Sequence, residues 1–198
     1  MKILLVWTHP NETSLVQLLA QEMEKDLIEQ GHEVITLDLY RSNFNPVSKD
    51  YSSHDEEGEF FAHDHPVAQQ HAKWIEEADG YVFVYPVWWW DRPAMLKGWF
   101  ESLFRWGFAI DVTNRGYIPR LKGKRALVIQ TCGSSEEELK KQGAIEVMHG
   151  AIGHGTLEFV GIQVDAIETF YSVSKTDEAR LLQMKDRLLQ VSQSWKGL

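Results

Sequence analysis

The sequence predicts an α/β protein in which a doubly wound, five-stranded parallel sheet is covered by helices on both faces. Two observations indicate this fold: short apolar runs alternate with amphipathic segments along nearly the whole chain, and those runs are continuous rather than interrupted by polar residues. Continuous apolar strands are typical of sheets buried on both faces, and strand–helix alternation indicates parallel strands joined by right-handed crossovers. With 198 residues, 43% of them hydrophobic, the chain is long enough for one domain over residues 1–198.

The first strand–helix–strand unit has the clearest pattern. The run ILLVW at residues 3–7 ends at His-Pro-Asn and predicts a buried strand. A helix follows, with Thr13 or Ser14 as its N-cap and Gly31 as its stop, and the second strand is expected at residues 33–39. The buried stripe of this helix consists of Leu15, Leu18, Leu19, Met23 and Leu27.

The remaining elements repeat the same cycle. We expect a helix over residues 67–78, a strand over 81–86, a helix over 93–104, a strand over 126–131, a helix within 142–159, a strand near 162–170 and a C-terminal helix over 177–195. In this architecture ligands bind beyond the carboxyl ends of the strands, so the segments that follow the strands are the candidates for function.

Composition excludes several classes of partner. The net charge is −9 and the chain has no Lys/Arg-rich run, which argues against nucleic acid and against an anionic membrane surface as partners. Cys132 is the single cysteine, so an internal disulfide is excluded. No apolar run reaches the roughly 18 residues of a membrane span, and the first apolar stretch lacks the pattern of a secretory signal. We therefore expect a cytoplasmic protein.

The loop after the first strand, THPNETS at residues 8–14, opens a helix with hydroxyl side chains. It lacks both the G-x-G-x-x-G of dinucleotide folds and the G-K-[ST] of a P-loop. Thr13, Ser14 and the free N–H groups of the first helical turn are suited to binding an anion, because a helix start offers unpaired donors and the positive end of the dipole. The same residues also suit an ordinary N-cap, and the loop alone does not decide between the two interpretations.

The segment PVWWWDRP at residues 86–93 contains three consecutive tryptophans. Trp88, Trp89 and Trp90 cannot all point into a core from adjacent positions, so at least one of them is exposed or faces a ligand. Large aromatic side chains with neighbouring N–H groups suit a flat ring system such as an isoalloxazine. A hydrophobic contact between subunits explains them equally well, and the two roles are compatible.

The loop TCGSS at residues 131–135 combines small side chains with consecutive N–H donors. Such a loop allows a ligand to approach the backbone closely, and its amides can meet a carbonyl or a developing negative charge. Cys132 has no histidine nearby in the sequence, so we expect it to pack rather than to act as a nucleophile.

Five motifs spread along the chain carry a family resemblance. They are DLY followed by NFNP within residues 38–46, FVYPVWWWDRPAMLKGWFE at 83–101, GFA at 107–109, LKGKRA at 121–126 and DEAR at 177–180. In these motifs the chain resembles the NAD(P)H:quinone oxidoreductase family of flavodoxin-like flavoproteins, which includes the bacterial ancillary subunits of potassium efflux systems. The resemblance implies a flavodoxin-like fold, FAD or alternatively FMN as cofactor, and NAD(P)H as co-substrate.

The resemblance also implies cofactor contacts at individual positions. Those matching the family's flavin contacts are His9, Ser14 and Leu15 for the phosphates, Pro86, Val87, Trp89 and Trp90 for the isoalloxazine, and Gln130, Thr131, Cys132 and Gly133 for its pyrimidine side. Arg180 resembles an arginine that reaches the adenosine half of FAD, which favours FAD over FMN.

The chain departs from the family at positions close to the chemistry. Animal-type members place a tyrosine and a histidine after the glycine loop, where this chain has SSEEELKKQG at residues 134–143. His149 is the candidate to supply that missing assistance. Trp89 and Trp90 are expected to hold one flavin face open, and the amides up to Gly133 to stabilise the reduced flavin. Ile110 and Val112 stand where those relatives have aromatic residues over the substrate.

The resemblance therefore implies a flavin-dependent NAD(P)H dehydrogenase that passes two electrons to a quinone or a similar acceptor. The alternative is a regulatory or electron-carrying flavoprotein, such as an ancillary subunit of a potassium efflux transporter. A homodimer is expected because Trp99, Phe100, Phe104 and Trp106 add more aromatic surface than one helix face buries.

One long segment is predicted to be irregular. It covers residues 41–65, and we expect it to lie over the adenine side of the cofactor. We expect no metal site at the acidic and histidine-rich residues 54–57 and 63–66, because such residues crowd acidic surface loops without converging on one point.

Overall fold

The computed structural model describes residues 1–47 and 66–198. Its strands are β1 (Lys2–Trp7), β2 (Glu33–Asp38), β3 (Gly80–Pro86), β4 (Ile110–Thr113), β5 (Gly116–Pro119), β6 (Arg125–Thr131) and β7 (Gln163–Phe170). Five of them form a parallel sheet in the order β2-β1-β3-β6-β7, while β4 and β5 pair separately as an antiparallel hairpin. The five-stranded parallel sheet predicted from the sequence is confirmed.

Helices cover both faces of this sheet. They are α1 (Leu15–Glu29), α2 (Pro66–Glu77), α3 (Ala94–Leu103), α4 (Glu136–Lys141), α5 (Ala144–Ile152) and α6 (Glu178–Ser192). Alternate residues of β1 enter different cores: Ile3 packs with α1 and α6, whereas Leu4 packs with α2, α3 and α5. Because both faces are buried, the strand reads as a continuous apolar run.

Local chemistry sets where the helices start and stop. Ser14 is the N-cap of α1, and its Oγ accepts a hydrogen bond of 3.2 Å from the N–H of Gln17. Asp177 caps α6 in the same way, with Oδ1 accepting from the N–H of Arg180 at 2.8 Å. Gly31 follows α1 with φ of 89°, a backbone conformation that glycine adopts without strain.

Two elements were not predicted from the sequence, the β4–β5 hairpin and the short helix α4. The hairpin was missed because each strand has only four residues and most of them are exposed, so no apolar pattern marks them. The helix expected within residues 142–159 is confirmed as α5, which ends at Ile152 and continues as a π-helical turn, Gly153–Leu157, and a 3₁₀ turn, Glu158–Val160.

Helix α3 buries more aromatic surface than the sequence suggested. Trp99 and Phe100 are 0% and 3% exposed, in contact with each other and with Phe83 on the sheet. The expectation that these two side chains add exposed area was wrong, because α3 lies flat on an aromatic layer that takes them in. Phe104 is half-buried, and of the four residues in question only Trp106 is exposed.

The segment after β2 packs directly against α3. A Cβ atom added at Gly98 would lie 2.1 Å from the carbonyl oxygen of Pro46, so only glycine allows this approach. The contact fixes the far end of the NFNP motif against the helix that follows β3. Within the described ranges, no helix combines the length and the apolar character that a membrane crossing needs.

Candidate cofactor site at the carboxyl edge of the sheet

Three loops meet where the central strands end. Because β1, β3 and β6 are adjacent and parallel, the segments after them emerge side by side. Hydrogen bonds fix this arrangement: the N–H of Thr8 donates to Val84 at 3.1 Å, and the N–H of Val87 donates to Thr131 at 2.8 Å. The imidazole of His9 contacts the indole of Trp88 with ring centroids 5.9 Å apart. The three loops that the sequence singled out therefore form one edge.

The loop between β1 and α1 is organised to leave helix donors free. Asn11 Oδ1 accepts from the N–H and the hydroxyl of Thr13, at 2.9 and 3.0 Å, while Ser14 caps the helix. Among residues 1–47 and 66–198, the N–H groups of Leu15 and Val16 donate to no acceptor. Free donors at the positive end of the helix dipole make an anion site.

His9 adds a side-chain nitrogen to the same loop. Its Nδ1 lies 3.0 Å from the backbone N–H and 3.2 Å from the carbonyl oxygen of Asn11, so this nitrogen is held within the loop. Nε2 hydrogen-bonds to no described residue and is left for a ligand. An imidazole nitrogen beside the free helix amides fits a phosphate group.

Arg41 holds this loop in place and was missed by sequence reasoning. Its Nη1 and Nη2 donate to the carbonyl oxygens of His9 and Pro10 at 3.0 and 2.7 Å, and its Nε donates to Glu12 at 2.7 Å. The guanidinium also faces Asp38 at the end of β2, at 3.3 Å. Because Arg41 occupies the carbonyl oxygens of the loop, it leaves the N–H groups at the start of α1 free for a ligand. The only sequence signal was a cation just after the second strand.

The tryptophans form a tight two-residue turn, which we call the tryptophan turn (residues 88–91). Trp88 and Asp91 exchange two backbone hydrogen bonds of 2.9 and 3.1 Å, and Trp89 and Trp90 between them have φ of 54° and 60°. Positive φ at both central residues defines a type I′ turn, which normally takes Asn and Gly. Trp89 is fully exposed, and Trp88 and Trp90 are 40% and 41% exposed. Within the described part of the chain, the N–H groups of Trp89 and Trp90 have no acceptor.

The third loop follows β6. The side chain of Cys132 is buried beside Leu139 and Met148, and its backbone N–H donates to Phe170 at 2.8 Å, so the cysteine packs as expected. Gly133 is exposed, and a Cβ added there would meet nothing within 4 Å. Its N–H donates to no described residue. Space and a free donor are thus present where a ligand ring would approach the backbone.

A chain of side-chain hydrogen bonds runs beneath this edge. Gln130 Nε2 donates to the hydroxyl of Tyr85 at 2.7 Å, and Gln130 Oε1 accepts from the hydroxyl of Thr169 at 2.8 Å. Cross-strand register places these three residues level with one another on β3, β6 and β7. The side chain of Gln130 is therefore committed to the protein interior, and only its backbone is close to the loop that follows.

His149 is the last member of this series of hydrogen bonds. Its Nε2 is 3.0 Å from Thr169 Oγ1, and because that hydroxyl donates to Gln130 it must accept from the imidazole, whose proton is then on Nε2. Burial lowers the pKa of His149, and nearby Glu146 offsets part of this shift. At neutral pH the ring is therefore uncharged.

Arg180 lies at the start of α6, which packs beside α1 on the same face of the sheet. Lys185 of α6 and Glu22 of α1 join the two helices through an ion pair of 2.6 Å. The guanidinium donates to the carbonyl oxygen of Tyr171 and lines an open depression together with Glu136 and Gln183. Both helices begin at the carboxyl edge of the sheet.

Among the described residues, no group of three or more His, Cys, Asp and Glu side chains is placed to hold a metal ion. The acidic and histidine residues at 54–57 and 63–65 lie outside the described residues, as does most of the segment expected to cover the adenine.

The fold is that of a doubly wound α/β protein, and its central strands end at an edge with unpaired amides at the start of α1 and at an aromatic turn. Similarity to known proteins identifies the family of this chain. The chain belongs to the family described as having the flavodoxin-like fold, whose model matches residues 1–191.

Individual relatives resemble the chain over most of its length. It is 31% identical to a ribosyldihydronicotinamide dehydrogenase [quinone] of Pongo abelii, over 82% of this chain and 78% of that protein. It is 28% identical to an uncharacterized NAD(P)H oxidoreductase of Haemophilus influenzae, over 98% of this chain and 95% of that protein. Among solved structures, the NAD(P)H:quinone oxidoreductase from Methanothermobacter marburgensis superposes with a TM-score of 0.86 at 25% identity, covering 100% of this chain and 98% of that one.

Proposed function

We propose that the protein is a flavin-dependent NAD(P)H dehydrogenase that transfers two electrons to a quinone or a similar acceptor. The observation that carries the proposal is the convergence of the three loops on one edge of the sheet. Free amides lie at the start of α1 and at the tryptophan turn. The names of the relatives support the reaction class. A bound flavin would supply the chemistry, accepting hydride from the nicotinamide and returning two electrons to the acceptor.

The start of α1 is proposed to hold the phosphates of the cofactor. The imidazole of His9, the hydroxyl of Ser14 and the N–H of Leu15 belong to this loop and helix start and are proposed to bind phosphate oxygens. Thr13 is turned back to Asn11, so it is not part of this set.

The two other loops are proposed to hold the ring. Pro86 and Val87 are fixed against β6, and Trp89 and Trp90 add indole surface and free amides. The backbone of Thr131, Cys132 and Gly133, in the loop after β6, is proposed to border the ring's pyrimidine edge. Gly133 N–H is the donor placed to meet negative charge there, which is stabilised most by preorganised amides.

The reaction itself is tested by steady-state kinetics with NADH or NADPH and menadione. The sequence contains no nucleotide-binding fingerprint that would give the nicotinamide a separate site. Nicotinamide and acceptor are therefore expected to use one flavin face in turn. Double-reciprocal plots at several acceptor concentrations should be parallel. Intersecting plots would indicate a ternary complex and contradict the proposed use of one face, and absence of NAD(P)H oxidation would contradict the proposal as a whole.

We further propose FAD rather than FMN, because Arg180 at the start of α6 lines an open depression at the carboxyl edge that could take an adenosine. Arg180→Ala is expected to weaken FAD by about 1.5–3 kcal/mol, the value of one charge-assisted hydrogen bond, and to leave FMN nearly unchanged. Fluorescence titration of the apoprotein with FAD and with FMN measures the two dissociation constants. Equal weakening of FAD and FMN, or FMN alone in a heat-released extract, would refute this assignment.

His149 remains our candidate for proton handling, and its surroundings suggest a modest effect. Its Nε2 proton is committed to Thr169 and its pKa is lowered by burial, so it is not charged at neutral pH. We expect His149→Ala to slow flavin reduction by less than about tenfold, with the anion stabilised mainly by backbone amides. A loss of about 10²-fold or more in stopped-flow measurements, the size typical of general acid–base catalysis, would establish His149 as the missing acid.

We also propose a cytoplasmic homodimer built around the exposed aromatic surface. Trp89, Trp106 and Tyr117 remain exposed in the single chain, as does Phe159, which contacts Tyr117. A two-fold contact over this surface would remove it from water. Light scattering at micromolar concentration with flavin bound should give the mass of two chains, and a monomeric mass would contradict the proposal.

A further inference from the structure

The tryptophan turn is held in a conformation that its own sequence disfavours. Both central residues are bulky and both have positive φ, at 54° and 60°. Non-glycine residues in this region persist only where surrounding structure imposes the conformation, and such strain is concentrated at functional sites. Something outside the turn must therefore keep Trp89 and Trp90 as they are.

Arg92, the residue directly after the turn, provides the strongest anchor. Its side chain is 6% exposed, and its guanidinium lies over the ring of Phe100 on α3, 5.5 Å from the ring centroid. Nη1 donates to the carbonyl oxygen of Ala151 at 3.2 Å, in the last turn of α5. The same carbonyl oxygen also accepts from the hydroxyl of Thr156 at 2.8 Å, in the π-helical turn that follows α5. The base of the turn is thus attached to two helices.

Asp91 connects this anchor to the turn itself. Its backbone closes the turn by exchanging hydrogen bonds with Trp88, while its carboxylate accepts from the N–H of Arg92 at 2.7 Å and faces Arg92 Nη1 at 3.5 Å. The guanidinium therefore contacts the carboxylate of the residue that closes the turn.

Burying this guanidinium is unfavourable in itself. Arg92 Nε is buried and has no hydrogen-bond partner among the described residues. An unbranched apolar side chain would fill the same space between α3 and α5 without desolvating a charge. An apolar side chain would lose the hydrogen bond to Ala151, the ion pair with Asp91 and the cation–π contact with Phe100, and of these only the ion pair reaches the turn.

We infer that Arg92 is a positioning residue that keeps the tryptophan turn in the conformation presenting its free amides and indoles to the cofactor. The inference rests on the proposed function for the nature of the ligand. Arg92 does not touch the ligand; it acts through Asp91 and the turn.

A double-mutant cycle tests this coupling. Arg92→Met removes the anchor, and Trp90→Gly removes the strain at the second central position, because glycine adopts positive φ freely. Arg187→Met is the control for loss of an arginine: its side chain on α6 is exposed and pairs with Glu168 of β7. The readouts are FAD affinity by fluorescence quenching and the hydrogen-exchange rate of the Asp91 amide in the apoprotein.

In the otherwise unchanged chain, Arg92→Met should weaken FAD at least about tenfold, equivalent to about 1.4 kcal/mol, and speed exchange of the Asp91 amide by a similar factor. In the Trp90→Gly background the same substitution should change both by less than about threefold, and Arg187→Met should change neither. Should Arg92→Met fail to fold, Arg92→Lys is expected to show smaller effects of the same sign and the same suppression by Trp90→Gly.

Equal effects of the arginine substitution in both backgrounds, or none in either, would overturn the inference. The exchange readout keeps this separate from the proposed function: an unmodified protein that binds no flavin refutes the proposed function, whereas the Asp91 amide still reports whether Arg92 holds the turn.

Discussion

Gly98→Ala is expected to destabilise the protein by about 3 kcal/mol or more, the upper range for overpacking. The added Cβ would lie 2.1 Å from the Pro46 carbonyl oxygen and 2.8 Å from two further backbone atoms of the same residue. Backbone atoms cannot rotate away as a flexible side chain can, so either α3 or the segment before residue 48 must move. Because α3 follows the tryptophan turn, we also expect weaker flavin binding. Denaturant unfolding of the apoprotein measures the change in stability.

Gly150→Ala is the matched control, since it places the same methyl group on another helix. A Cβ at Gly150 would meet nothing within 4 Å, and the residue lies inside α5. Alanine is the better helix former, so stability should rise by about 0.5–1 kcal/mol. A Gly98→Ala protein as stable as the unchanged one would show that the Pro46 segment does not rest on α3.

Acidification is expected to remove about 3 kcal/mol of stability through His71 alone. Its Nδ1 accepts a hydrogen bond of 3.2 Å from Trp99 Nε1, and its ring stacks on Trp74 at 5.4 Å. Burial lowers the pKa of His71 from 6.5 to about 4. Above pH 6.5 neither the folded nor the unfolded chain binds this proton, so the full stability is present. As the pH falls from 6.5 through about 4, the unfolded chain is protonated first and stability is lost.

His71→Gln isolates this contribution, because its amide oxygen can still accept from Trp99 but does not titrate. Between about pH 7 and 4, the difference in unfolding free energy between the two proteins should change by about 3 kcal/mol. This corresponds to about 1.4 kcal/mol for each unit by which the pKa of His71 is lowered. A difference that is constant from about pH 7 to 4 would show that His71 has the same pKa in the folded and the unfolded chain, and would contradict this prediction.

The order of strands and helices could be predicted because each has a local cause. Continuous apolar runs marked the strands, Ser14 and Asp177 marked two helix starts, and parallel strands bring their following loops to one edge. The hairpin of β4 and β5 could not be predicted, because four-residue exposed strands carry no periodic signal.

The candidate site was predictable as a set of loops but not as a set of side-chain directions. Gln130 matched a loop position, yet its side chain turns into the sheet, because register places it opposite Tyr85 and Thr169. Arg41 and Arg92 were missed for a related reason. Their partners lie on other elements, and no spacing within the sequence reports a contact between residues 92 and 151.

The central claim is that this edge binds a flavin which exchanges two electrons with NAD(P)H and a quinone. Its most direct test is anaerobic titration of the purified protein, first with NADH or NADPH and then with menadione, followed by visible absorbance. We predict a bound flavin that is bleached by one equivalent of reduced nicotinamide without an accumulating semiquinone, and whose oxidised spectrum returns with one equivalent of quinone. A protein that binds no flavin, or a bound flavin that neither nicotinamide reduces, would contradict the account.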